Sequence, residues 1–220
     1  MRNLVVGASG GIGRAVVDHL RSVGDDVVTA SRSEDGIDIR NEAKIAAWTR
    51  TLDGTFDRIL ISTGALTLDG NGPEKTINAL TPDGMAAQYA TNAIGPAMVM
   101  KHLHPFLPKE GRSVLAALSA RVGSIGDNRL GGWVSYRAAK AALNQVVHSA
   151  AIEITRKRKE AIVVAYHPGT VRTPLTDRYV GGHPAVEPSD AAKHMIDVLD
   201  TLSPADSGGF FDWKGERVPW

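Results

Sequence analysis

Residues 4–23 read LVVGASGGIGRAVVDHLRSV. Leu4 to Gly7 is a short apolar run of the kind that forms a buried strand. Gly7-Ala8-Ser9-Gly10-Gly11-Ile12-Gly13 then makes a glycine-rich turn, and a helical pattern follows to Val23. A glycine-rich turn between strand and helix lets backbone N–H groups approach a pyrophosphate at the positive end of the helix. The spacing is Gly-x-x-x-Gly-x-Gly, not the more familiar Gly-x-Gly-x-x-Gly dinucleotide fingerprint, and an incidental flexible turn is the alternative.

The same alternation continues along the chain. Residues 26–30 form a second apolar run ending in Ser31-Arg32. In dinucleotide-binding folds this strand end meets the adenosine ribose, where an acid bonds a free 2′-hydroxyl and a base accommodates a 2′-phosphate. Ser31 and Arg32, with no carboxylate before Glu34, predict NADP in preference to NAD. The alternative makes Arg32 a solvated loop arginine. Asp38-Ile39 closes a short third strand, and Asn41 caps a helix over 42–52. A fourth strand over 56–61 ends in Ser62-Thr63-Gly64-Ala65, small residues that leave room for a cofactor. The loop 66–80 is rich in turn residues and shows no chemistry. A helix runs from Pro82 to about His104, with Asn92 inside it just before Gly95-Pro96. By itself Asn92 reads as a capped or surface residue. Strands over 112–118 and 161–166 follow, and Ser189 caps a last helix to about Leu202. The basic run 156–159 reads as a solvated helix end. The loop with Tyr179, Gly181, Gly182 and His183 suits a lid, and the aromatic tail 213–220 suits packing on the core or on a second subunit.

Strands alternating with helices predict an α/β chain: a doubly wound parallel sheet with helices on both faces. No repeat or linker interrupts it, so residues 1–220 are expected to form one domain. Basic and acidic residues number 25 and 24, which gives no electrostatic case for nucleic acid or an anionic membrane. There is no cysteine, no spanning apolar stretch and no leader pattern, so a cytoplasmic protein without a metal is expected. Gly7 to Gly13, Arg32, Gly64 and Ser119 all follow the carboxyl ends of predicted strands, where open α/β sheets bind ligands.

The chemistry concentrates in residues 119–140, SARVGSIGDNRLGGWVSYRAAK. Tyr136 and Lys140 are four apart at the start of a helical run to Ile154, so their side chains share a face. A nearby cation favours the phenolate and brings the phenol toward the working pH. Ser119 could add a hydroxyl at the same place. Taken alone, the pair is equally an exposed helix face.

Together these residues resemble the short-chain dehydrogenase/reductase family over nearly the whole chain. The matching motifs are Gly7-x-x-x-Gly11-x-Gly13, Asp38-Ile39, Asn92, Ser119, Tyr136-x-x-x-Lys140 and Pro168-Gly169-x-x-x-Thr173. The segment 119–128 and the ending Trp213…Pro219-Trp220 resemble the C-factor and sniffer-like carbonyl reductase branch. The chain departs from the family in Ser62-Thr63-Gly64-Ala65, where Asn-Asn-Ala-Gly is usual, in Val6, where Thr is common, and in a long Ser119–Tyr136 separation.

The resemblance implies a Rossmann-type sheet of about seven strands and a homodimer or homotetramer. It implies that Ser9, Gly10, Ile12, Ser31, Arg32, Asp38, Ile39, Gly64, Ala65, Pro168, Gly169, Val171 and Thr173 join the glycines 7, 11 and 13 around the cofactor. Tyr136 would be the proton donor, Lys140 would lower its pKa and hold the nicotinamide ribose, and Ser119 would bond the substrate oxygen. Asn92 would orient a water linking Lys140 to solvent. The expected activity is NADPH-dependent reduction of a modest, mainly apolar carbonyl compound facing residues such as Ile125, Leu130, Trp133, Tyr179 and Val180. The alternative is a C-factor-like signalling protein with little turnover. An extended-family epimerase is not expected, since little chain follows Thr173.

Overall fold

The computed structural model describes residues 1–68, 70–174, 176 and 184–220. Six strands form one sheet: β1 (Arg2–Val6), β2 (Asp26–Ala30), β3 (Arg58–Ile61), β4 (Ser113–Leu118), β5 (Ala161–His167) and β6 (Phe210–Asp212). Their spatial order is β2-β1-β3-β4-β5-β6, and every neighbouring pair is parallel. Because β2 and β3 flank β1 on opposite sides, the winding reverses between the carboxyl ends of β1 and β3. Such a switch point opens a crevice in the sheet edge.

The central strands are apolar without a break, as VLAAL in β4 and AIVVAY in β5, which suits burial on both faces. Successive side chains alternate between two cores. On one face Leu4, Ile59, Leu115 and Val163 pack beneath α3 (Glu42–Thr49), α5 (Gly95–Leu103) and α6 (Val134–Thr155). On the other, Val5, Leu60, Ala116 and Val164 pack against α1 (Gly11–Ser22) and α7 (Pro188–Thr201). The short turn α2 (Arg32–Asp35) follows β2.

The sheet has six strands, not the expected seven. Asp38-Ile39 is not a strand: the Asp38 carboxylate accepts from Arg40 N, Nε and Nη2 at 3.0, 3.1 and 2.9 Å, closing a tight local turn off the sheet. The third helix ends at Thr49, three residues early, where the Thr51 hydroxyl takes the Trp48 carbonyl at 2.7 Å. Its cap is as expected, with Asn41 accepting from Lys44 N.

The expected long helix is in three parts: α4 (Pro82–Tyr89), a π-helical turn Ala90–Ile94, and α5. Pro96 has no N–H to donate, and the wide turn, closed by Gly95 N–H to Ala90 O, absorbs the break. Ser189 lies inside α7 rather than capping it. Glu187 holds the cap position without a side-chain bond, and Pro188 begins the helix with its φ already set. In the basic run Arg156, Lys157 and Lys159 are exposed, whereas Arg158 turns inward and donates to Leu107 O at 2.9 Å and Pro105 O at 3.0 Å. The tail packs on the core: Val218 is buried and Trp220 stacks on Phe210 at 5.9 Å. The expected lid at 179–183 lies outside the described residues. No helix among the described residues is long and apolar enough to cross a membrane.

One ionic group ties the amino ends of the strands together. Arg58, 3% exposed, bonds Asp200 of α7 and lies 3.4 Å from Asn3 Oδ1 and 3.5 Å from Asp25 Oδ2. Arg58→Ala is expected to cost about 2 kcal/mol, less than a fully buried pair because Asp200 keeps half its side chain in water. Urea denaturation would show it as a lower midpoint with an unchanged slope.

Candidate active site

At the switch point the chain approaches itself too closely for side chains. Gly7 has φ +88°, and a Cβ there would lie 2.7 Å from Ser62 O; at Gly13 it would lie 2.2 Å from Gly7 O; at Gly11, 2.6 Å from Thr173 Cγ2. The start of α1 is thereby pressed onto the ends of β1 and β3. Gly10 at its cap supplies no side chain, so the first N–H groups have no side-chain cap.

Two adjoining cavities of about 1000 and 290 Å³ meet there, sharing Ser9, Gly10, Ser62, Thr63 and Gly64 as walls. The smaller is lined by Gly7, Ser31, Arg32, Asp38, Ile39 and Ala65. The larger takes in Gly11, Ile12, Ser119, Tyr136 and Lys140 on one side, and Pro168, Gly169, Val171 and Thr173 on the other. Of the expected cofactor and catalytic residues, Gly13 and Asn92 do not reach either wall; of the expected substrate-facing residues, Leu130 and Trp133 line the larger cavity, Ile125 does not, and Tyr179 and Val180 lie outside the described residues. Gly13 acts through the close approach of α1 to β1, and Asn92 stands behind Ala65.

Several of these groups are committed locally. Ser31 Oγ accepts from Glu34 N at 3.1 Å, and Ser31 N donates to Asp35 Oδ2 at 2.7 Å, so this residue caps α2. The Asp35 carboxylate, which no sequence pattern flagged, therefore sits at the end of β2. Arg32 beside it is exposed. Arg40 holds the Asp38 carboxyl down at about 2.

Asn92 is fully buried, not the surface residue it resembled in isolation. Its Oδ1 accepts from Ala65 N at 3.0 Å, and its Nδ2 donates to Ala65 O at 2.8 Å and Gln88 Oε1 at 2.7 Å. Gln88 in turn donates to Leu66 O at 3.0 Å. The π turn thus carries an amide that fixes the chain just after β3. A Cβ on Gly64 would lie 3.0 Å from Asn92 Oδ1 and 3.3 Å from Lys140 Nζ. Ser62 Oγ and Thr63 Oγ1, by contrast, are buried with no hydrogen-bond partner. Both line the neck between the cavities, within the stretch 62–65 where the chain departs from its family pattern.

Helix α6 brings the reactive groups to the larger cavity. Lys140 Nζ lies 5.9 Å from the centroid of the Tyr136 ring and donates to Leu118 O at 2.9 Å. Ser119 Oγ donates to Asn144 Oδ1 at 2.6 Å. Asn144 was missed, although it continues the four-residue stripe Tyr136–Lys140–Asn144 along one face. Burial pulls the Lys140 ammonium down to about 8 and pushes the Tyr136 phenol above its ordinary value. The expected lowering of the phenol by its neighbour is therefore not seen; desolvation dominates both groups. His167, at the end of β5, is held down at about 4 by burial and lines the same cavity as a neutral imidazole.

Loop 66–80, which showed no chemistry in sequence, supports the start of α6. The Glu74 carboxylate accepts from the Ser135 hydroxyl and, at 3.3 Å, from Ser135 N–H, acting as a cap supplied by a distant loop. Trp133 N–H donates to Glu74 O at 2.5 Å. Trp133 is held in a left-handed conformation, φ +51°, with its ring edge-on to Tyr136 at 6.4 Å.

A parallel sheet with a bare helix start at its switch point, beside a buried phenol–ammonium pair, is the architecture of a nucleotide-dependent oxidoreductase. A family model described as enoyl-(acyl carrier protein) reductase matches residues 7–206. The chain belongs to the short-chain dehydrogenase/reductase family. It is 30% identical over 232 residues, 99% of this chain and 98% of the other, to the 1-hydroxy-2-glutathionyl-2-methyl-3-butene dehydrogenase of Rhodococcus sp. AD45. It is 38% identical over 138 residues to the C-signal protein of Myxococcus xanthus, covering 62% of this chain and 78% of that one. A short-chain dehydrogenase/reductase of Burkholderia multivorans with bound NADP matches 100% of this chain and 99% of its own at TM-score 0.84 and 29% identity. The Sniffer carbonyl reductase of Drosophila melanogaster shares the fold at TM-score 0.84 and 22% identity, over 100% of this chain and 99% of that one.

Lys140 carries a measurable stability cost. Its native pKa of about 8 lies below the ordinary 10.5, so the native state resists the proton. The penalty is complete below about pH 8 and disappears as pH rises past 10.5, when both states are neutral. Lys140→Met also loses the bond to Leu118 O. It is expected to raise stability at pH 7 by about 1–2 kcal/mol, with the gain shrinking steadily toward pH 10 in thermal melts.

Proposed function

We propose that the chain is an NADPH-dependent reductase of a carbonyl compound. The reading rests chiefly on the stripe Tyr136–Lys140 of α6 facing the larger cavity beside Ser119. The residues present fit a nicotinamide dinucleotide. Gly7, Gly11 and Gly13 leave a backbone cradle that any Cβ would fill, and Ser62 and Thr63, whose hydroxyls are buried without a hydrogen-bond partner, border the passage between the cavities. Ser9 to Ile12 would take the pyrophosphate, with Pro168, Gly169, Val171 and Thr173 opposite. Arg32 would meet a 2′-phosphate, and Asp38, Ile39 and Ala65 would border the adenosine. When bound, the cofactor supplies the hydride.

The side chains then divide the remaining work. The raised pKa of Tyr136 keeps its phenol protonated at neutral pH, as a proton donor to the carbonyl oxygen must be. Lys140, at about 8, holds its proton loosely enough to resupply the phenol and close enough to reach the nicotinamide ribose. Ser119, oriented by Asn144, bonds the substrate oxygen. Asn92 positions the strand end beneath Lys140 and is proposed to orient a water linking that ammonium to solvent. The same groups run in reverse for an alcohol, the direction in the name of the Rhodococcus relative. We place all of residues 1–220 in one cytoplasmic domain, working as a homodimer or homotetramer as the family resemblance implies.

The second reading is a signalling protein with little turnover, favoured by the likeness to the C-signal protein. The complete set Ser119, Tyr136 and Lys140 counts against it, since a binding module needs none of them.

Tyr136→Phe is expected to reduce NADPH oxidation by a panel of aldehydes, ketones and quinones at least ~100-fold, the low end of general acid catalysis, while NADPH affinity stays within about twofold. Full activity in that variant would remove Tyr136 from the mechanism. In fluorescence titrations NADPH should bind more tightly than NADH. Arg32→Asp should lose about 1–3 kcal/mol of NADPH binding, the value of hydrogen bonds to a charged group, with NADH affected less.

A further inference from the structure

The larger cavity has a charge pattern that the reading above leaves unused. Among the described residues on its wall there is no aspartate or glutamate, whereas Lys75, Arg121, Arg137 and Lys140 all reach it. Two of these cations are already engaged. Arg121 pairs with Asp127 at 2.5 Å and lies 3.5 Å from Asp212, and Lys140 belongs to the reacting end.

Lys75 and Arg137 differ. Neither has a carboxylate at ion-pair distance among the described residues. Arg137 donates Nε to Gly131 O and Gly132 O at 3.2 and 2.9 Å and Nη1 to Val122 O at 3.2 Å, all neutral acceptors. Its charge is thus partly desolvated without compensation, and burial draws its pKa down. Lys75 follows Glu74, whose carbonyl and carboxylate fasten this loop to Trp133 and Ser135. A Cβ on Gly132 would stand 3.3 Å from Lys75 O, on the residue whose carbonyl Arg137 bonds. Both cations line this cavity from segments that meet at Gly132, next to the Trp133 ring that stands against Tyr136. The remaining wall there is apolar, with Leu66, Leu118, Val122 and Leu130.

A partly buried cation without a counter-ion is costly, and an anion entering the same cavity recovers that cost. We propose that the substrate carries a carboxylate on an apolar body, held at the Lys75–Arg137 rim while its carbonyl group faces Tyr136. This rests on the reductase reading and replaces its neutral substrate with an anionic one. Arg137 contributes through Nη2 and the second N–H of Nη1, because Nε and the other Nη1 hydrogen hold the loop. Lys75 supplies the mobile half of the site.

The test compares 4-formylbenzoate with its methyl ester, using the whole protein and NADPH. The acid should show a KM about tenfold below that of the ester at low ionic strength, converging as salt screens the exposed lysine. Lys75→Glu should raise the KM of the acid about tenfold and abolish that preference. Lys44→Glu, the same charge change on α3, should leave the ratio of the two KM values at the wild-type figure. Equal KM values at every salt concentration, or a Lys75→Glu variant that shifts both substrates alike, would overturn the proposal. Calorimetric titration of the NADPH complex with benzoate and benzamide separates the two readings. Benzoate binding that disappears in Lys75→Glu supports the anion site even where no aldehyde is reduced. Benzoate that binds no better than benzamide overturns the site even where aldehydes are reduced.

Discussion

A side chain at position 13 would put its Cβ 2.2 Å from the carbonyl oxygen of Gly7. No rotamer relieves a clash between Cβ and backbone, so α1 can lie this close to β1 only with glycine there. The neighbouring approaches have the same character: Gly7 to Ser62 O and Gly11 to Thr173. Three segments distant in sequence therefore meet through backbone or a methyl group, and the floor of the cleft carries no side chain that a ligand must displace. Glycine costs conformational entropy on folding. Here that cost is offset by the two apolar layers that clamp the same strands, in which Val5, Leu60 and Val164 on one face and Leu4, Ile59 and Leu115 on the other are wholly buried.

Helix α6 divides the same conflict along its length. Toward its carboxyl end Leu143, Val147, Ala151 and Ile154 pack into the core and supply stability. Toward its amino end Tyr136 and Lys140 are as deeply placed, yet the ammonium meets only a carbonyl and a ring. Apolar residues of similar volume would be more stable there. The geometry that results, a protonated phenol beside an ammonium drawn down by burial, is the one that the proposed proton transfer would use. The burden falls on the supporting contacts: Asn144 on Ser119, Glu74 on Ser135, and Asn92 on Ala65.

Those supports explain what sequence reasoning could and could not recover. The glycine turn, the strand-helix alternation and the Tyr136–Lys140 pair are local patterns, each set by spacing within a few residues, and each is found where expected. Asp38-Ile39 was expected to close a short strand, but the Asp38–Arg40 bonds close a tight turn off the sheet there. Asn92 read as a capped or surface residue because its partner Ala65 lies 27 residues away and leaves no local mark. Glu74 was invisible for the same reason. Its partner Ser135 is 61 residues away, and nothing in either neighbourhood marks the pair.

The same distinction separates the two halves of the cleft. The smaller cavity lies largely at strand ends whose positions follow from pairing register, with Asp38 and Ile39 added from a turn off the sheet. The larger cavity takes part of its wall from loops that share no register, Leu66 and Lys75 from one and Arg121, Val122, Leu130 and Trp133 from another. Ser124 Oγ bonds Pro219 O at 2.5 Å and Gly126 N bonds Trp220 O at 2.8 Å, so the tail fastens one wall while Glu74 fastens another. A charge on any of these loops becomes part of the site only through such non-local bonds. Substitutions in them can change which substrate is accepted while leaving the glycine turn, the sheet and α6 untouched. That is why the motifs mark the family of this chain, while the proposed anion rim at Lys75 and Arg137 rests on loops that no motif marks.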